Sequence, residues 1–116
     1  RSAKLADANL ENANLTNANL ECARLSRASL FKANLRKTQL RGANLENVVM
    51  RHANLDHTNL RDAKLKDADL SHVFLLDVDL RDAKLKGANF FGASGFNLSK
   101  RQRQDIIMRK SGVVSF

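Results

Sequence analysis

A large apolar residue returns at every fifth position through most of the chain, and this period decides what the chain can fold into. Eighteen consecutive five-residue units carry it from Leu5 to Phe90, with Met50 taking the place of leucine once. A period of five fits neither an α-helix nor a flat β-strand. In a helix, five residues advance about 140° beyond a full turn, so the apolar residues would spiral around every side. The backbone must therefore turn a corner in each unit, which we call a pentad.

Four pentads per coil would form a square cross-section, with each large apolar side chain pointing toward the axis. A coil of this size is supported by the segment Arg61–Lys66, which recurs unchanged as Arg81–Lys86, 20 residues later. Stacked coils would pair their backbones at the β spacing of about 4.8 Å. The sequence therefore predicts an all-β solenoid of about 4.5 coils, since eighteen pentads are present.

The other pentad positions are also patterned. A small residue, mostly alanine, stands two positions before each large apolar residue, and the residue between them is often Asn or Asp, as in Ala13-Asn14-Leu15. This pattern resembles that of the pentapeptide-repeat family over about residues 3–94. The resemblance implies the family's right-handed quadrilateral β-helix. Members of the family do different things, so the fold by itself does not give a function.

The asparagines that precede the apolar residues recur at the coil period. Asn14, Asn34 and Asn54 would stack on one another in successive coils. Stacked amides form hydrogen-bonded ladders in cross-β structures. We therefore expect these three side chains to hydrogen-bond along the stack.

The two ends of the repeat differ. The pattern fails near Gly95, and the capping-box sequence Ser99–Gln102 predicts the start of a helix. We therefore divide the chain into a solenoid at 1–98 and a C-terminal capping helix with its tail at 99–116, which would cover the last coil or contact a second copy of the chain. The residues expected to make this contact are Ile106, Ile107 and Phe116. Residues 1–10 already follow the repeat, so we expect the natural protein to be longer at its N-terminal end.

Positive charge is unevenly distributed. The chain carries 20 basic and 12 acidic residues, a net charge of +8. If positions 20 apart stack, one side of the solenoid, the basic face, gathers seven basic residues against three acidic ones. The basic residues are Lys4, Arg24, Arg27, Lys64, Lys66, Lys84 and Lys86. This face is either a binding surface for nucleic acid or another anionic partner, or a solvated surface without a ligand. It has no interleaved aromatic side chains, which argues against stacking of single-stranded bases.

A second candidate surface is aromatic. Phe31 and Phe91 are predicted to point outward near Val49, with His52 and His72 stacked in one column beside them. Outward phenylalanines can mark a contact with a partner, or they can lie under a loop or cap. The two histidines have no cysteine and no third ligand nearby, so we expect no metal site.

The chemistry that an enzyme needs is not visible. No Ser/His/Asp grouping converges, no glycine-rich phosphate loop is present, and a column filled with leucine leaves no natural cleft. We therefore expect a non-enzymatic scaffold or protein-interaction module without a cofactor, part of a longer protein and able to form a homodimer through one end. The alternative is binding of nucleic acid or another anionic surface. Some members of the family that the chain resembles mimic DNA and bind gyrase, but mimicry needs a strongly negative surface, unlike the +8 here.

Other features of the sequence limit where the protein works. No apolar stretch reaches the roughly 18–20 residues of a membrane span. Cys22 is the single cysteine, so no internal disulfide can form. Together with the lack of a visible signal peptide, these features favour a cytoplasmic location.

Overall fold

The computed structural model describes residues 2–95, in which the chain stacks on itself with a 20-residue offset. Parallel β-bridges join Lys4 to Arg24 at one end and Phe74 to Ser94 at the other, with equivalent bridges between. Each bridge is a single pair of residues, and residues 2–95 contain neither a helix nor a continuous strand. The predicted all-β solenoid is therefore confirmed.

Each corner of a coil is a tight turn with a left-handed residue. The N–H of Ala28 donates to the carbonyl of Leu25 at 3.0 Å, and the same bond closes the other corners. The second residue of each turn has a positive φ, for example 59° at Asn47 and 62° at Asp62. Asn, Asp, His and Gly tolerate this conformation best. This explains why these residue types are common at the second turn position, a preference that the five-residue period does not show.

Asparagine before the inward leucine completes the hydrogen bonding of the turn. The carboxamide oxygen of Asn54 accepts the backbone N–H of Asp56 at 2.9 Å. Asn14 and Asn34 make the same contact with the residue two positions on, at 3.1 Å in each case. The predicted amide ladder through these asparagines is therefore wrong. The bonds between coils do not use the N–H of the first turn residue, so the nearest asparagine oxygen accepts it.

The inward residues form one continuous core. Three of them, Leu25, Leu45 and Leu65, are fully buried. Phe90, near the C-terminal end of the described coils, is equally buried. Leu5 is only partly buried, because a described coil packs against it on one side alone. Burial of each such side chain contributes about 1.5–3 kcal/mol relative to exposure. The core therefore holds the coils together and leaves contacts with other molecules to the outer surface.

Two small core positions carry threonine. The hydroxyls of Thr38 and Thr58 donate to the carbonyls of Leu15 and Leu35, one coil earlier, at 2.8 and 2.7 Å. Buried polar groups are tolerated when they are hydrogen-bonded, and both hydroxyls meet this condition. The same position therefore accepts alanine or threonine without a change of backbone.

The last described residue is Gly95, near which the sequence predicts that the repeat fails. Gly95 stands at the inward phase that follows Phe90, with a φ of 82°. The predicted capping helix, with Ile106, Ile107 and Phe116, lies outside the described residues and stays a prediction. None of the described residues forms a helix with the length and apolarity needed to cross a bilayer.

Candidate functional site

The basic face has two halves with different charge environments. In the N-terminal half, Arg27 forms a paired contact with Asp7, with Nε–Oδ1 at 2.8 Å and Nη2–Oδ2 at 3.1 Å. The hydrogen bond from Arg27 lowers the pKa of the Asp7 carboxyl and raises the pKa of the guanidinium. Lys4 and Arg24 lie in the same half, joined by a β-bridge. The charge of this half is therefore partly neutralised.

The C-terminal half of the basic face carries four lysines, which we call the lysine tetrad: Lys64, Lys66, Lys84 and Lys86. Lys64 and Lys84 are joined by a β-bridge in successive coils. The N–H of Asp67 donates to the carbonyl of Lys86 at 3.0 Å, which keeps Lys66 and Lys86 in the same register. All four side chains are exposed, and none has an ion pair within the described residues.

On the face adjacent to the basic face, two arginines are paired with carboxylates. Arg41 lies 3.5 Å from Asp62 (Nε to Oδ2), and Arg81 makes two contacts with Asp79, at 3.0 Å and 2.7 Å. The hydrogen bond from Arg81 lowers the pKa of the Asp79 carboxyl to about 2. These arginines have carboxylate partners, unlike the lysine tetrad.

The low pKa of Asp79 predicts a titration that depends on Arg81. The ordinary pKa of an Asp carboxyl is 3.8, so the pairing of Asp79 with Arg81 stabilises the fold above about pH 4. This stabilisation is lost as the pH falls toward about 2. Arg81→Gln should raise the pKa of Asp79 toward 3.8, as read from the carboxyl carbon by NMR titration. Arg41→Gln is the control, because Arg41 contacts Asp62 and not Asp79. An unchanged Asp79 midpoint in Arg81→Gln would contradict this assignment.

Aromatic rings form a continuous column at one corner, the aromatic column of Phe31, His52, His72 and Phe91. The two histidine rings stack with centroids 4.9 Å apart and planes 7° from parallel. Phe31 and Phe91 contact the two ends of this pair edge-on, at 5.9 and 5.3 Å. The predicted column is therefore present. No group of three or more His, Cys, Asp or Glu side chains in residues 2–95 could hold a metal ion.

Among the large apolar side chains of residues 2–95, the two most exposed stand at positions that the repeat pattern does not indicate. Phe74 and Leu76, the apolar patch, are 52% and 50% exposed. Phe74 stands where most pentads have a polar residue, so the backbone N–H of Leu76 bonds instead to the Asp56 carboxylate of the previous coil, at 3.0 Å. In the sequence, the apolar patch is visible only as this departure from the repeat, because one pentad has apolar residues at two outward positions.

The repeat matches that of a known protein family. The family description "Pentapeptide repeats" matches the sequence in eight copies, over residues 1–30, 28–67 and 58–94. The chain belongs to the pentapeptide-repeat family. This pentapeptide-repeat protein has no match among curated proteins.

Two solved structures of pentapeptide repeat proteins are similar to this one. Rfr23 of the cyanobacterium Cyanothece 51142 is 35% identical with a TM-score of 0.78, over 80% of this chain and 64% of that chain. A protein from the thylakoid lumen of Arabidopsis thaliana is 21% identical with a TM-score of 0.79, over 88% of this chain and 69% of that chain. This pentapeptide-repeat protein thus spans less than two thirds of the cyanobacterial protein's length. The plant structure shows likeness of fold alone.

Proposed function

We propose that this pentapeptide-repeat protein is a non-enzymatic scaffold that binds a protein partner through the apolar patch. The observation that carries the proposal is the exposure of Phe74 and Leu76, about half of each side chain. Adjacent exposed apolar residues rimmed by polar groups are typical of sites where proteins meet. The leucine core occupies the interior of the described coils, so the outer surface is where a partner would bind.

The surroundings of the apolar patch suit a protein interface. The aromatic column lies close by in the chain, since His72 is two residues before Phe74. On the other side, His57 lies 3.6 Å from Asp77, between Nδ1 and Oδ2, which supplies a polar rim. Aromatic anchors surrounded by polar groups carry much of the binding energy in protein interfaces. A partner with a complementary apolar pocket would fit this arrangement.

The proposal is tested by returning the patch to the repeat pattern. The double variant Phe74→Asn, Leu76→Arg copies the pair Asn34 and Arg36, which occupies the equivalent positions two coils earlier. The new asparagine can accept the turn N–H, so the fold should be retained. We expect proteins captured from a lysate of the source organism to bind the double variant about tenfold more weakly or not at all, because the aromatic anchor is lost.

The matched control is Val49→Asn. Val49 is also an exposed apolar residue at an outward position, 37% exposed, but it lies on a neighbouring face. This variant should capture the same proteins as the unmodified chain. Equal capture by the double variant, with its fold confirmed by circular dichroism, would refute binding through the apolar patch.

A further inference from the structure

The lysine tetrad combines charge with unused backbone donors. In the preceding coil, the carboxamide of Asn44 accepts the N–H of Glu46 at 3.0 Å. Lys64 and Lys84 replace that asparagine in the next two coils, as the bridges Asn44–Lys64 and Lys64–Lys84 show. A lysine side chain has no acceptor atom. Within residues 2–95, the amide N–H groups of the first turn residues that follow Lys64 and Lys84 therefore have no acceptor.

These donors belong to Lys66 and Lys86, which are themselves exposed. Successive coils are about 4.8 Å apart, so the two amides lie one above the other on the same side of the stack. The four ammonium groups belong to the two lysines that carry these amides and to the two lysines that stand two positions before them. Two fixed donors and four mobile cations thus share one small area of the basic face.

The acidic residues near the tetrad do not neutralise it by ion pairing. Asp67 and Asp82 flank the tetrad at second turn positions, and Asp62 contacts Arg41 at 3.5 Å. None of these carboxylates forms an ion pair with a tetrad lysine in the described structure. The contrast is the N-terminal half of the same face, where Asp7 contacts Arg27 at 2.8 Å. The charge of the tetrad is therefore available to a ligand.

We propose that the lysine tetrad is a binding site for the phosphate oxyanion, with the amides of Lys66 and Lys86 as fixed donors. Phosphate has several acceptor oxygens, so it can take a backbone N–H and lysine ammonium groups at the same time. The ligand oxygen occupies the place that an asparagine oxygen takes in the neighbouring coil. This site lies on a different face from the apolar patch and does not depend on the proposed protein interaction.

Two kinds of ligand carry such phosphate oxygens: a small phosphate ion and the phosphodiester backbone of a nucleic acid. The test is an amide NMR titration of the whole chain at constant ionic strength, with inorganic pyrophosphate in one arm and a short oligothymidylate in the other. We expect saturable shifts of the Lys66 and Lys86 amides, and smaller shifts of the Ala6 and Ser26 amides, which occupy the same turn position in the N-terminal half. Saturation with pyrophosphate alone assigns a small ion, and tighter saturation with oligothymidylate assigns a nucleic-acid backbone.

The decisive variant is Lys64→Asn, Lys84→Asn. It removes two charges and supplies the missing turn acceptors, with the residue type that the repeat normally uses. The control Lys32→Asn, Lys37→Asn removes the same charge at second turn positions, where φ is 58° and 59° and asparagine is tolerated. We expect binding to fall about tenfold or more in the first variant and to remain nearly unchanged in the control.

Two results would overturn the proposal. Equal weakening by both variants would show that net charge attracts the anion without a defined site. Shifts that increase linearly with pyrophosphate concentration, without saturation at the Lys66 and Lys86 amides, would have the same meaning. Circular dichroism of both variants shows that any loss of binding occurs in a folded chain.

Discussion

Leu45→Asp is expected to abolish folding of the solenoid, whereas Leu5→Asp is expected to leave a folded chain. Leu45 is fully buried between neighbouring coils, while Leu5 is partly exposed. An unpaired carboxylate at a buried site costs several kcal/mol, a large share of the roughly 5–15 kcal/mol that stabilises a domain. At Leu5 the carboxylate can reach water. Thermal unfolding followed by circular dichroism measures both variants.

The contrast between the two sites makes this prediction specific. Both variants make the same chemical change at the same phase of the pentad, so a general intolerance of aspartate would affect them equally. A soluble Leu45→Asp protein with the melting curve of the unmodified chain would show that the inward column does not hold the coils together. Equal loss of stability at Leu5 and Leu45 would contradict the prediction, because it would show that the N-terminal coil and the middle of the stack are equally sensitive.

Gly42→Val is expected to lower the free energy of unfolding by about 2 kcal/mol or more, and Gly42→Asn by much less. Gly42 has a φ of 70°, a left-handed conformation that β-branched residues avoid. Asparagine adopts this conformation at the equivalent position of another pentad, with a φ of 59° at Asn47. A Cβ at Gly42 would lie 3.2 Å from the Cys22 Sγ. Urea denaturation gives both free energies.

The pair of Gly42 variants separates conformation from crowding. Valine and asparagine both add a Cβ beside Cys22, so that contact is common to them. The difference between the unfolding free energies of the two variants therefore reports mainly how well each residue adopts a positive φ. Equal destabilisation by the two substitutions would mean that contact with the Cys22 sulfur, and not the left-handed backbone, sets the cost.

The core and the stacking of surface residues could be predicted from the sequence because both depend on period. Every fifth side chain points inward, and residues 20 apart share a column, so the stacked His52 and His72 and the bridge between Lys64 and Lys84 followed directly. These features need only the length of the coil. The family resemblance added the expected quadrilateral shape.

The hydrogen bonding of the turn could not be read from the period. Whether Asn54 bonds along the stack or to its own turn depends on which N–H groups the bonds between coils leave unused, and this emerges only when the coils are in place. The same information is needed to see that lysine at 64 and 84 leaves two amides without acceptors. The five-residue period does not indicate Phe74 and Leu76 either, because they are exposed only through a departure from the repeat.

The asparagine turn also has a consequence for how such surfaces arise during evolution. One exchange of asparagine for lysine at an outward position adds a cation and exposes a fixed amide donor, while the leucine core is untouched. Repeating the exchange 20 residues later, as at Lys64 and Lys84, places two such changes side by side. In the phosphate site proposed above, two substitutions of this kind supply two of the four cations and both unused amide donors, and two reversals remove them.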